Sequence, residues 1–300
     1  MIWLVVLAVV LLCIFSLNFR LVLFNLPLVV YYGVKDLWNW FILREKDRAP
    51  YGLLEMFTAL FGKGKTLSAV GRLMYIYGRY NGKKIYDKKR KKFVTQRIHI
   101  LSNVNIYVLP FEWLKDLSQV VRVPELNDKY DEENDTLTYT YVLIDEISVQ
   151  LNSREFKKNI NAQFLNSLLC CRHYRMSIIG TTQRFKHTDA LVRQVTQDVI
   201  ECDKLWRLQR QYVYDAYELE NATSMRDIKP LSKTGFFITD KYYEAYDTFA
   251  VVDNLIKDWE AGKLITDEQI LALQSNNTVN IDIDTKPKKS LFKRKNNKAA

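Results

Sequence analysis

The sequence predicts an α/β domain with a largely parallel sheet, preceded by an apolar N-terminal segment. From Tyr51 onward, strand-like runs alternate with helical stretches, which is typical of βαβ units. The first run is followed by a glycine-containing loop and a helix, which is half of such a unit. The 300 residues allow one large domain with appendages, and 48% apolar residues suffice for a sizeable core. Wholesale disorder is thereby excluded.

The N-terminal segment has the length and composition of a membrane anchor. Met1–Phe19 contains no charged side chain, and a helix of that length spans roughly 28 Å, close to the ~30 Å of a bilayer core. A cleaved signal peptide fits poorly, because no basic start or small-residue cleavage site is present. A buried core helix rarely runs this long without a polar face. Leu21–Val34 is a second span, a re-entrant piece or an interfacial helix; the sequence leaves these alternatives open.

Trp38 and Trp40 follow this segment and are flanked by basic residues, an arrangement typical of a cation-rich membrane interface. We therefore expect the body of the chain to lie in the cytoplasm. The cations are Lys35, Arg44, Lys46 and Arg48. The expected divisions are an anchor and interfacial segment at 1–43, the α/β domain at 44–254, and a charged helix with a flexible basic tail at 255–300.

The four cysteines predict neither a disulfide framework nor a metal site. Four cysteines are too few for a disulfide framework in a chain of this length, and their spacing relative to the three histidines is not that of metal ligands. A reducing compartment is therefore expected for the domain. The cysteines are Cys13, Cys170, Cys171 and Cys202.

The formal charge of +10 is concentrated in two segments. Lys83–Lys92 holds seven cations and one acid, and Lys286–Ala300 holds seven cations and no acid, so the rest of the chain sums to −3. Such runs bind the phosphates of nucleic acid or of anionic lipid, or remain solvated. DNA is slightly favoured for the first run, because it interrupts the domain. DNA and lipid are equally favoured for the tail.

The elements of the domain follow from apolar runs and helical spacing. Helical spacing is seen after the glycine loop, at Leu67, Val70, Leu73 and Met74. The predicted strands are Leu53–Ala59, Phe93–Leu101, Val104–Leu109, Thr138–Ile144, Met176–Gly180 and Val199–Cys202, with strand-like character at Leu205–Tyr217. The other predicted helices are Phe111–Leu117, Asn161–Cys171 and a segment from Leu255, whereas Lys83–Lys92 and Asn127–Asp135 are predicted connections.

The segment Gly62–Thr66 (Gly-Lys-Gly-Lys-Thr) predicts a phosphate-binding loop. Backbone N–H groups can surround a phosphate chain only in a loop without bulky Cβ atoms, at a helix N-terminus. In such a loop Lys65 can reach the β- and γ-phosphates, and the Thr66 hydroxyl can bind Mg²⁺. Ala59 stands where the strict pattern has glycine, and an alanine there needs only a negative φ. The alternative is a lysine-rich turn that contains glycines by chance. The candidate nucleotide-binding residues are Gly62, Lys63, Gly64, Lys65, Thr66 and Leu67.

Asp145 and Glu146 end a predicted strand about 80 residues downstream. A P-loop ATPase has such an acidic strand end, and we expect its strand to lie beside the strand of the phosphate loop. Asp145 would then hold Mg²⁺ together with Thr66, and Glu146 would orient or deprotonate the attacking water. The alternative is an ordinary helix N-cap followed by an acid. The pair and the loop together predict an ATPase that uses ATP and Mg²⁺.

Polar residues near the next strand complete the candidate site. Gln183 follows the strand that begins at Met176, and could sense the γ-phosphate or cap its own loop. Arg172, Arg175 and Arg193 flank this element. In ring-forming ATPases an arginine from the neighbouring subunit stabilises the transition state. Arg193 is the preferred candidate for that role, and a surface salt bridge is the alternative for each arginine.

The order of these motifs resembles the zonular occludens toxin-like (Zot) family of filamentous-phage assembly ATPases, within the FtsK/HerA class of P-loop motors. The resemblance spans about Tyr51 to Phe249. Besides Gly62–Thr66 and Asp145-Glu146, it is carried by Leu101–Val104, Cys171–Arg175, Thr182-Gln183, Asp189–Arg193 and Tyr246–Thr248. Family members usually carry their membrane span after the ATPase domain, whereas here the apolar segment precedes it.

This resemblance implies a RecA/FtsK-HerA-like P-loop fold and an ATPase at the inner (cytoplasmic) membrane of a host cell. Its expected role is the extrusion or packaging of single-stranded viral DNA during virion assembly, as a homo-oligomeric ring that contacts DNA, membrane lipid and phage coat or assembly proteins. The alternatives are a conjugation-type translocase, a double-stranded DNA packaging translocase, and a nucleotide-switched membrane scaffold.

Overall fold

The computed structural model describes residues 16–151, 162–223 and 227–251, which form eleven strands and nine α-helices. The strands are β1 (Leu54–Thr58), β2 (Lys84–Asp87), β3 (Lys92–Ser102), β4 (Val104–Ile106), β5 (Glu112–Trp113), β6 (Thr136–Ile144), β7 (Met176–Thr182), β8 (Asp198–Leu205), β9 (Leu208–Asp215), β10 (Ser232–Phe237) and β11 (Tyr246–Val251). The helices are α1 (Leu17–Phe24), α2 (Leu26–Ile42), α3 (Lys65–Tyr80), α4 (Ser118–Asn134), α5 (Ile147–Gln150), α6 (Ala162–Leu169), α7 (Ala190–Val195), α8 (Ala216–Asn221) and α9 (Asp240–Tyr243).

The main sheet has nine strands, eight of them in the order β10-β9-β8-β1-β7-β6-β3-β2, with β5 paired to β3. The central strands β8, β1, β7, β6 and β3 run parallel. Antiparallel pairing is confined to β9 and β10 at one edge and β2 at the other. The carboxyl ends of the parallel strands share one edge of the sheet, so the segments that follow β1, β6 and β7 converge there.

Alternate residues of the central strands enter two apolar cores, one on each face of the sheet. Met56 and Val142 belong to the core that α4, α6, α7 and α8 cover. Phe57 and Leu143 belong to the core that α3 covers. The domain is therefore a three-layer α/β/α sandwich, and both faces of its mostly parallel sheet are buried. The predicted α/β class is confirmed.

One expectation about the sheet is wrong, because β6 does not lie beside β1. Strand β7 separates them and pairs in parallel with both. All seven residues of β7 are buried, and a Cβ on its Gly180 would lie 2.8 Å from the Met56 sulfur. A strand of such small and apolar residues fits the centre of the sheet. Any contact between the end of β6 and the loop after β1 must therefore reach past β7.

The basic run Lys83–Lys92 is a β-hairpin rather than a simple connection. Strand β2 pairs antiparallel with the start of β3, and Ile85 is fully buried among exposed cations. Burial alternates residue by residue along β2, as in an edge strand. The many lysines around Ile85 conceal this alternation in the sequence. The turn precedes β3, so the hairpin lies at the amino-terminal edge of the parallel sheet, opposite the loop that follows β1.

Two further predictions between β3 and β6 are wrong for a shared reason. Phe111–Leu117 contains the short strand β5 instead of a helix, and Asn127–Asp135 continues helix α4 instead of forming a loop. Buried polar contacts hold both segments. The Glu112 carboxylate contacts His99 Nε2 at 3.1 Å, and the Asp131 carboxylate accepts hydrogen bonds from the backbone N–H and the hydroxyl of Thr138. The partners, His99 on β3 and Thr138 on β6, belong to other elements, so the pattern within each segment does not reveal them.

The apolar N-terminal segment is only partly described, since Met1–Phe15 lies outside the described residues. Helices α1 and α2 contain no buried residue and expose a nearly continuous series of apolar side chains. No single described helix meets the length and hydropathy criterion for a membrane span. The two helices meet it only as a pair, with a bend of 89° between them. The predicted helix and basic tail at 255–300 also lie outside the described residues.

Native-state thiol labelling tests the packing of the domain. Burial raises the pKa of Cys171 and of Cys202 to about 12, so both remain protonated at neutral pH, whereas Cys170 is half-buried. Because the thiolate is the reactive form, we expect iodoacetamide to modify Cys170 at least about tenfold faster than Cys171 or Cys202 in the folded chain. Peptide mass spectrometry measures the three rates. Equal rates at Cys170 and Cys202 would contradict the described core.

Candidate active site

The loop between β1 and α3 has the backbone conformation of a phosphate cradle. Gly62 and Gly64 adopt φ of 74° and 79°, in the left-handed region that favours glycine. Gly64 is also the N-cap of α3, so the first amides of that helix point into the loop. Ala59 is absent from the left-handed residues, which agrees with the expectation that it needs only a negative φ. The loop therefore forms without the first glycine of the strict pattern.

A bidentate ion pair fixes the helix behind this loop to the central strand. Arg72 of α3 donates from Nη2 and Nε to the two carboxylate oxygens of Glu55 on β1, at 2.8 and 3.1 Å. Glu55 is buried, so these hydrogen bonds are shielded from water. The pair therefore fixes the body of α3 against β1, the two elements that the loop connects.

Gln209 of β9 packs against the loop, a contact that the sequence does not predict. Its amide nitrogen donates to the Lys63 carbonyl at 3.1 Å, and its side chain is almost fully buried. Its Oε1 has no hydrogen-bond partner among the described residues and lies against Gly64. A Cβ on Gly64 would approach this oxygen to 2.4 Å. Gly64 is thus favoured by its φ, and a side chain at this position would also have to displace the Gln209 amide.

Substitution of the two loop glycines by alanine should separate these effects. Gly62→Ala meets no atom within 4 Å, so it introduces only left-handed strain of about 1–2 kcal/mol. Gly64→Ala adds the close contact with Gln209, so we expect a clearly larger loss in the free energy of unfolding. Urea denaturation of the two full-length variants measures both losses. Equal losses would show that Gln209 does not confine the loop.

The structure brings Lys65 and Glu146 together as an ion pair across the loop. Lys65 Nζ donates to Glu146 Oε1, and the lysine side chain is only 12% exposed. The second carboxylate oxygen of Glu146 is buried and has no hydrogen-bond partner among the described residues. Glu146 also has a φ of 50°, which costs a non-glycine residue of the order of 1 kcal/mol. A carboxylate with one unused oxygen, on a residue with a strained backbone, is thus held beside the loop lysine.

Thr66 and Asp145 meet past the end of β7. Asp145 Oδ1 accepts a hydrogen bond from the Thr66 hydroxyl at 2.9 Å and from the Thr181 hydroxyl at 2.6 Å. The same Thr181 hydroxyl accepts from the backbone N–H of Glu146 at 3.0 Å. Thr181, which the sequence did not single out, therefore bridges the gap that β7 opens between β1 and β6. A hydroxyl and a carboxylate oxygen adjacent to a phosphate cradle are ligands that suit Mg²⁺.

Asn103 fixes the position of Asp145 from the other side. It is fully buried just after β3, and its side-chain oxygen accepts from the Asp145 backbone N–H at 2.7 Å. Its side-chain nitrogen donates to the Asp145 carbonyl at 3.2 Å. This pair of hydrogen bonds satisfies both backbone groups of Asp145 where the strand ends. The motif order in the sequence includes the strand end Leu101–Val104, but it does not predict this role of Asn103.

Lys63 and Leu67 do not turn their side chains toward the loop interior. Lys63 Nζ pairs with Asp203 of β8 at 2.9 Å, and that hydrogen bond lowers the pKa of the Asp203 carboxyl. The Leu67 side chain is 2% exposed and packs inside the domain. Both residues therefore have only their backbone groups to offer to a phosphate.

Gln183 lines a cleft beside the loop rather than the Lys65–Glu146 pair. The cleft has a volume of about 390 Å³ and opens at the carboxyl ends of β1 and β7. Ala59, Leu60, Phe185 and Leu219 form its apolar lining, and Lys65, Thr66, Asp145 and Glu146 are not part of it. A γ-phosphate role for Gln183 remains a prediction.

The three candidate arginines lie in different places. Arg193 Nε pairs with Glu220 at 3.1 Å, and its Nη1 donates to the carbonyls of Lys186 and Thr188. These contacts within one chain fit the salt-bridge alternative. Arg175 is likewise bound to Asp128 and Asp131, whereas Arg172 is exposed. Arg172 and Arg175 precede β7, so they lie at the edge of the sheet opposite the loop. A role in trans remains a prediction for each.

No family model matches the chain, and no curated protein matches it. Among solved structures, the chain is similar to the N-terminal domain of zonular occludens toxin from Neisseria meningitidis, with 15% identity, a TM-score of 0.41, and coverage of 66% of this chain and 100% of that one. It is also similar to the genome packaging NTPase B204 from Sulfolobus turreted icosahedral virus 2, with 10% identity, a TM-score of 0.34, and coverage of 62% and 97%. ATPases 2 and 3 of EssC from Geobacillus thermodenitrificans are similar with 12% identity and a TM-score of 0.36, and the match covers 75% of this chain and 43% of that one.

Proposed function

We propose that this protein is an ATP-hydrolysing motor held at a membrane, which moves viral DNA during virion assembly. The observation that carries the enzymatic part is the convergence of four side chains on one glycine loop. Lys65 contacts Glu146, and Thr66 contacts Asp145, although 79 residues or more separate the partners in sequence. A lysine-rich turn that contains glycines by chance does not account for the contacts of two adjacent acids with the first two residues of its helix.

The residues at the loop fit a Mg²⁺-bound nucleoside triphosphate. Thr66 and Asp145 would hold the metal, directly or through water, and Lys65 would bind the terminal phosphates in place of Glu146. Bound Mg²⁺ supplies charge neutralisation of the phosphate oxygens. The released Glu146 carboxylate would then orient the attacking water and accept its proton. The left-handed amides around Gly62 and Gly64 would surround the phosphate chain.

The 390 Å³ cleft beside the loop is the place for the nucleoside base. Its volume falls within the usual range for small-molecule sites, and its lining is mainly apolar. It borders Ala59 and Leu60, where the phosphate loop begins. In this arrangement Gln183 would contact the nucleoside side of the ligand or the water between base and phosphates.

The membrane and DNA parts of the proposal rest on sequence and surface. The apolar side chains of α1 and α2 are not buried in the domain, and contact with lipid would shield them from water. The uncharged sequence of Met1–Phe15 would extend this lipid-contacting segment. A net charge of +10 favours polyanionic partners, and phosphate contacts of this kind are independent of sequence. The resemblance of the motifs to the Zot family supports single-stranded DNA, a ring of identical subunits and contacts with coat or assembly proteins at a host inner membrane.

Stimulation of ATP hydrolysis by DNA tests this proposal. The full-length chain in detergent micelles should hydrolyse ATP, and single-stranded DNA should raise the rate in a salt-dependent manner. Greater stimulation by double-stranded DNA would indicate a conjugation-type or packaging translocase instead. Hydrolysis that neither form of DNA affects, together with no DNA binding, would favour a nucleotide-switched scaffold.

A further inference from the structure

A second cleft opens at the amino-terminal edge of the sheet, opposite the phosphate loop. It has a volume of about 660 Å³ and lies between the short turn after α2, the β2–β3 turn and the residues before β7. Only Glu45 and Asp87 contribute negative charge to its lining. Its cations, which define the basic cleft, are Arg48, Lys88, Lys89, Arg172 and Arg175.

Three of these cations have no carboxylate partner among the described residues: Arg48, Lys89 and Arg172. Arg48 is half-buried and donates only to neutral acceptors, the Tyr86 carbonyl at 2.9 Å and the Tyr139 hydroxyl at 3.4 Å. Burial raises the pKa of Tyr139 to about 12, so this phenol carries no charge that would neutralise Arg48. Unpaired cations around a concave surface make its potential positive and attract anions.

The other cations of the cleft are already neutralised. Lys88 pairs with Glu45 at 2.6 Å, and Arg175 is bound by two aspartates of α4. The Asp87 carboxylate accepts from the Lys89 backbone N–H at 2.9 Å, which shapes the turn and leaves the Lys89 ammonium free. The unpaired charge is therefore concentrated on Arg48, Lys89 and Arg172. A phosphate group suits this set, because a guanidinium binds it with two parallel hydrogen bonds.

The basic cleft is fixed directly to the end of the apolar helices. The Tyr86 backbone N–H of β2 donates to the carbonyl of Leu43, the residue that follows α2, at 3.2 Å. Lys46 lies over the rings of Trp40 and Phe41, at 5.6 and 5.0 Å from their centres. Aromatic and cationic residues in this combination are typical of the membrane interface. If α2 contacts lipid, this cluster and the adjoining cleft would face the headgroup region.

We propose that the basic cleft binds the phosphates of anionic lipids and so orients the ATPase body on the membrane surface. This inference rests on the membrane attachment proposed above. DNA phosphates have the same chemistry, but the cleft adjoins the membrane segment and lies on the edge of the sheet away from the phosphate loop. Bound in this way, the domain would turn its nucleotide site away from the bilayer.

Hydrogen exchange on the full-length chain in lipid nanodiscs tests the inference. The amides of the β2–β3 turn, 88–91, should exchange several-fold more slowly in discs that contain phosphatidylglycerol than in pure phosphatidylcholine discs. Each cation near an anionic surface strengthens binding roughly fivefold. The double variant K89E/R172E should therefore lose this protection. The double variant K233E/K241E, which reverses two exposed lysines on β10 and α9, is the matched control and should keep it.

The remaining arms identify the source of the phosphate. Equal exchange in the two kinds of disc, or loss of protection in the control, would overturn the inference. Protection in neutral discs by glycerol phosphate or by a single-stranded oligonucleotide alone would assign the cleft to a free phosphate or to DNA, and would also overturn it. Thermal unfolding of each variant verifies that it is folded. A chain that does not enter nanodiscs would refute the membrane attachment, whereas a chain that enters without protection would refute the lipid site alone.

Discussion

Replacing Glu146 with glutamine is expected to abolish ATP turnover while ATP binding becomes tighter. The amide cannot accept a proton from the attacking water, and loss of a general base costs roughly 10²–10⁴ in rate. It also removes the anionic partner of Lys65, so the ammonium group is free to meet the phosphates. Phosphate release and equilibrium binding of a fluorescent ATP analogue measure the two effects on the full-length chain.

A second carboxylate provides the control for this experiment. Glu218 is exposed in the first turn of α8 and lies outside the loop and its acids, so Glu218→Gln should leave both measurements near their original values. The opposite behaviour of the two variants would locate the effect at Glu146. An E146Q variant that turns over ATP within a few-fold of the original rate would show that Glu146 is not the base.

Replacing Lys65 with alanine is expected to reduce ATP hydrolysis by at least about a hundredfold, through weaker binding and a slower step. The lysine side chain is nearly buried at the loop, where water does not replace its charge. The next lysine toward the N-terminus gives the comparison. Lys63 points outward to Asp203 and is 47% exposed, so Lys63→Ala should cause a far smaller loss.

The contrast between these two lysines separates a phosphate-binding site from a generally basic loop. Both variants remove one positive charge from the same segment, but Lys65 is nearly buried beside Glu146, whereas Lys63 is exposed beside Asp203. Similar losses in Lys65→Ala and Lys63→Ala would indicate that the loop acts through its net charge. Normal hydrolysis by Lys65→Ala would refute the proposed nucleotide site.

The parts of the fold that could be predicted are those with a strong local signal. The apolar runs of β1, β6 and β7 and the helical spacing after Gly64 are local patterns, and the structure has these elements within a few residues of the expected bounds. The order of strands is not local. Strand β7 lies between β1 and β6, where its Gly180 packs closely against Met56, and no run of apolar residues reveals this order.

The same distinction between local and non-local signals separates the site residues that could be predicted from those that could not. Lys65, Thr66, Asp145 and Glu146 could be predicted, because each follows a strand and parallel strands end at one edge. Thr181, Asn103 and Gln209 could not, since their contacts depend on the register of β7, β3 and β9 against their neighbours. A polar residue directly after a buried strand is the available signal for Asn103. For Gln209, a single buried amide in an edge hairpin, there is no comparable signal.

The charge of the basic run shows a further limit of sequence counts. Seven cations between Lys83 and Lys92 suggest a strongly positive surface. In the folded domain Lys83, Lys88, Arg90 and Lys92 each pair with an acid, and three of those acids lie outside the run. Of the cations that remain unpaired, Lys89 lines a cleft together with Arg48 and Arg172, which come from distant segments. The position of this cleft beside the apolar N-terminal helices, rather than its total charge, suggests what it binds.

Magnesium-dependent ATP hydrolysis by the intact chain tests the central claim most directly. Phosphate release should exceed the background with Mg²⁺, stop when the metal is chelated, and be absent from the E146Q variant while that variant still binds ATP. An intact, folded chain that binds no ATP, or one whose hydrolysis is unchanged in E146Q, would contradict the assignment of Lys65, Thr66, Asp145 and Glu146 to one catalytic site.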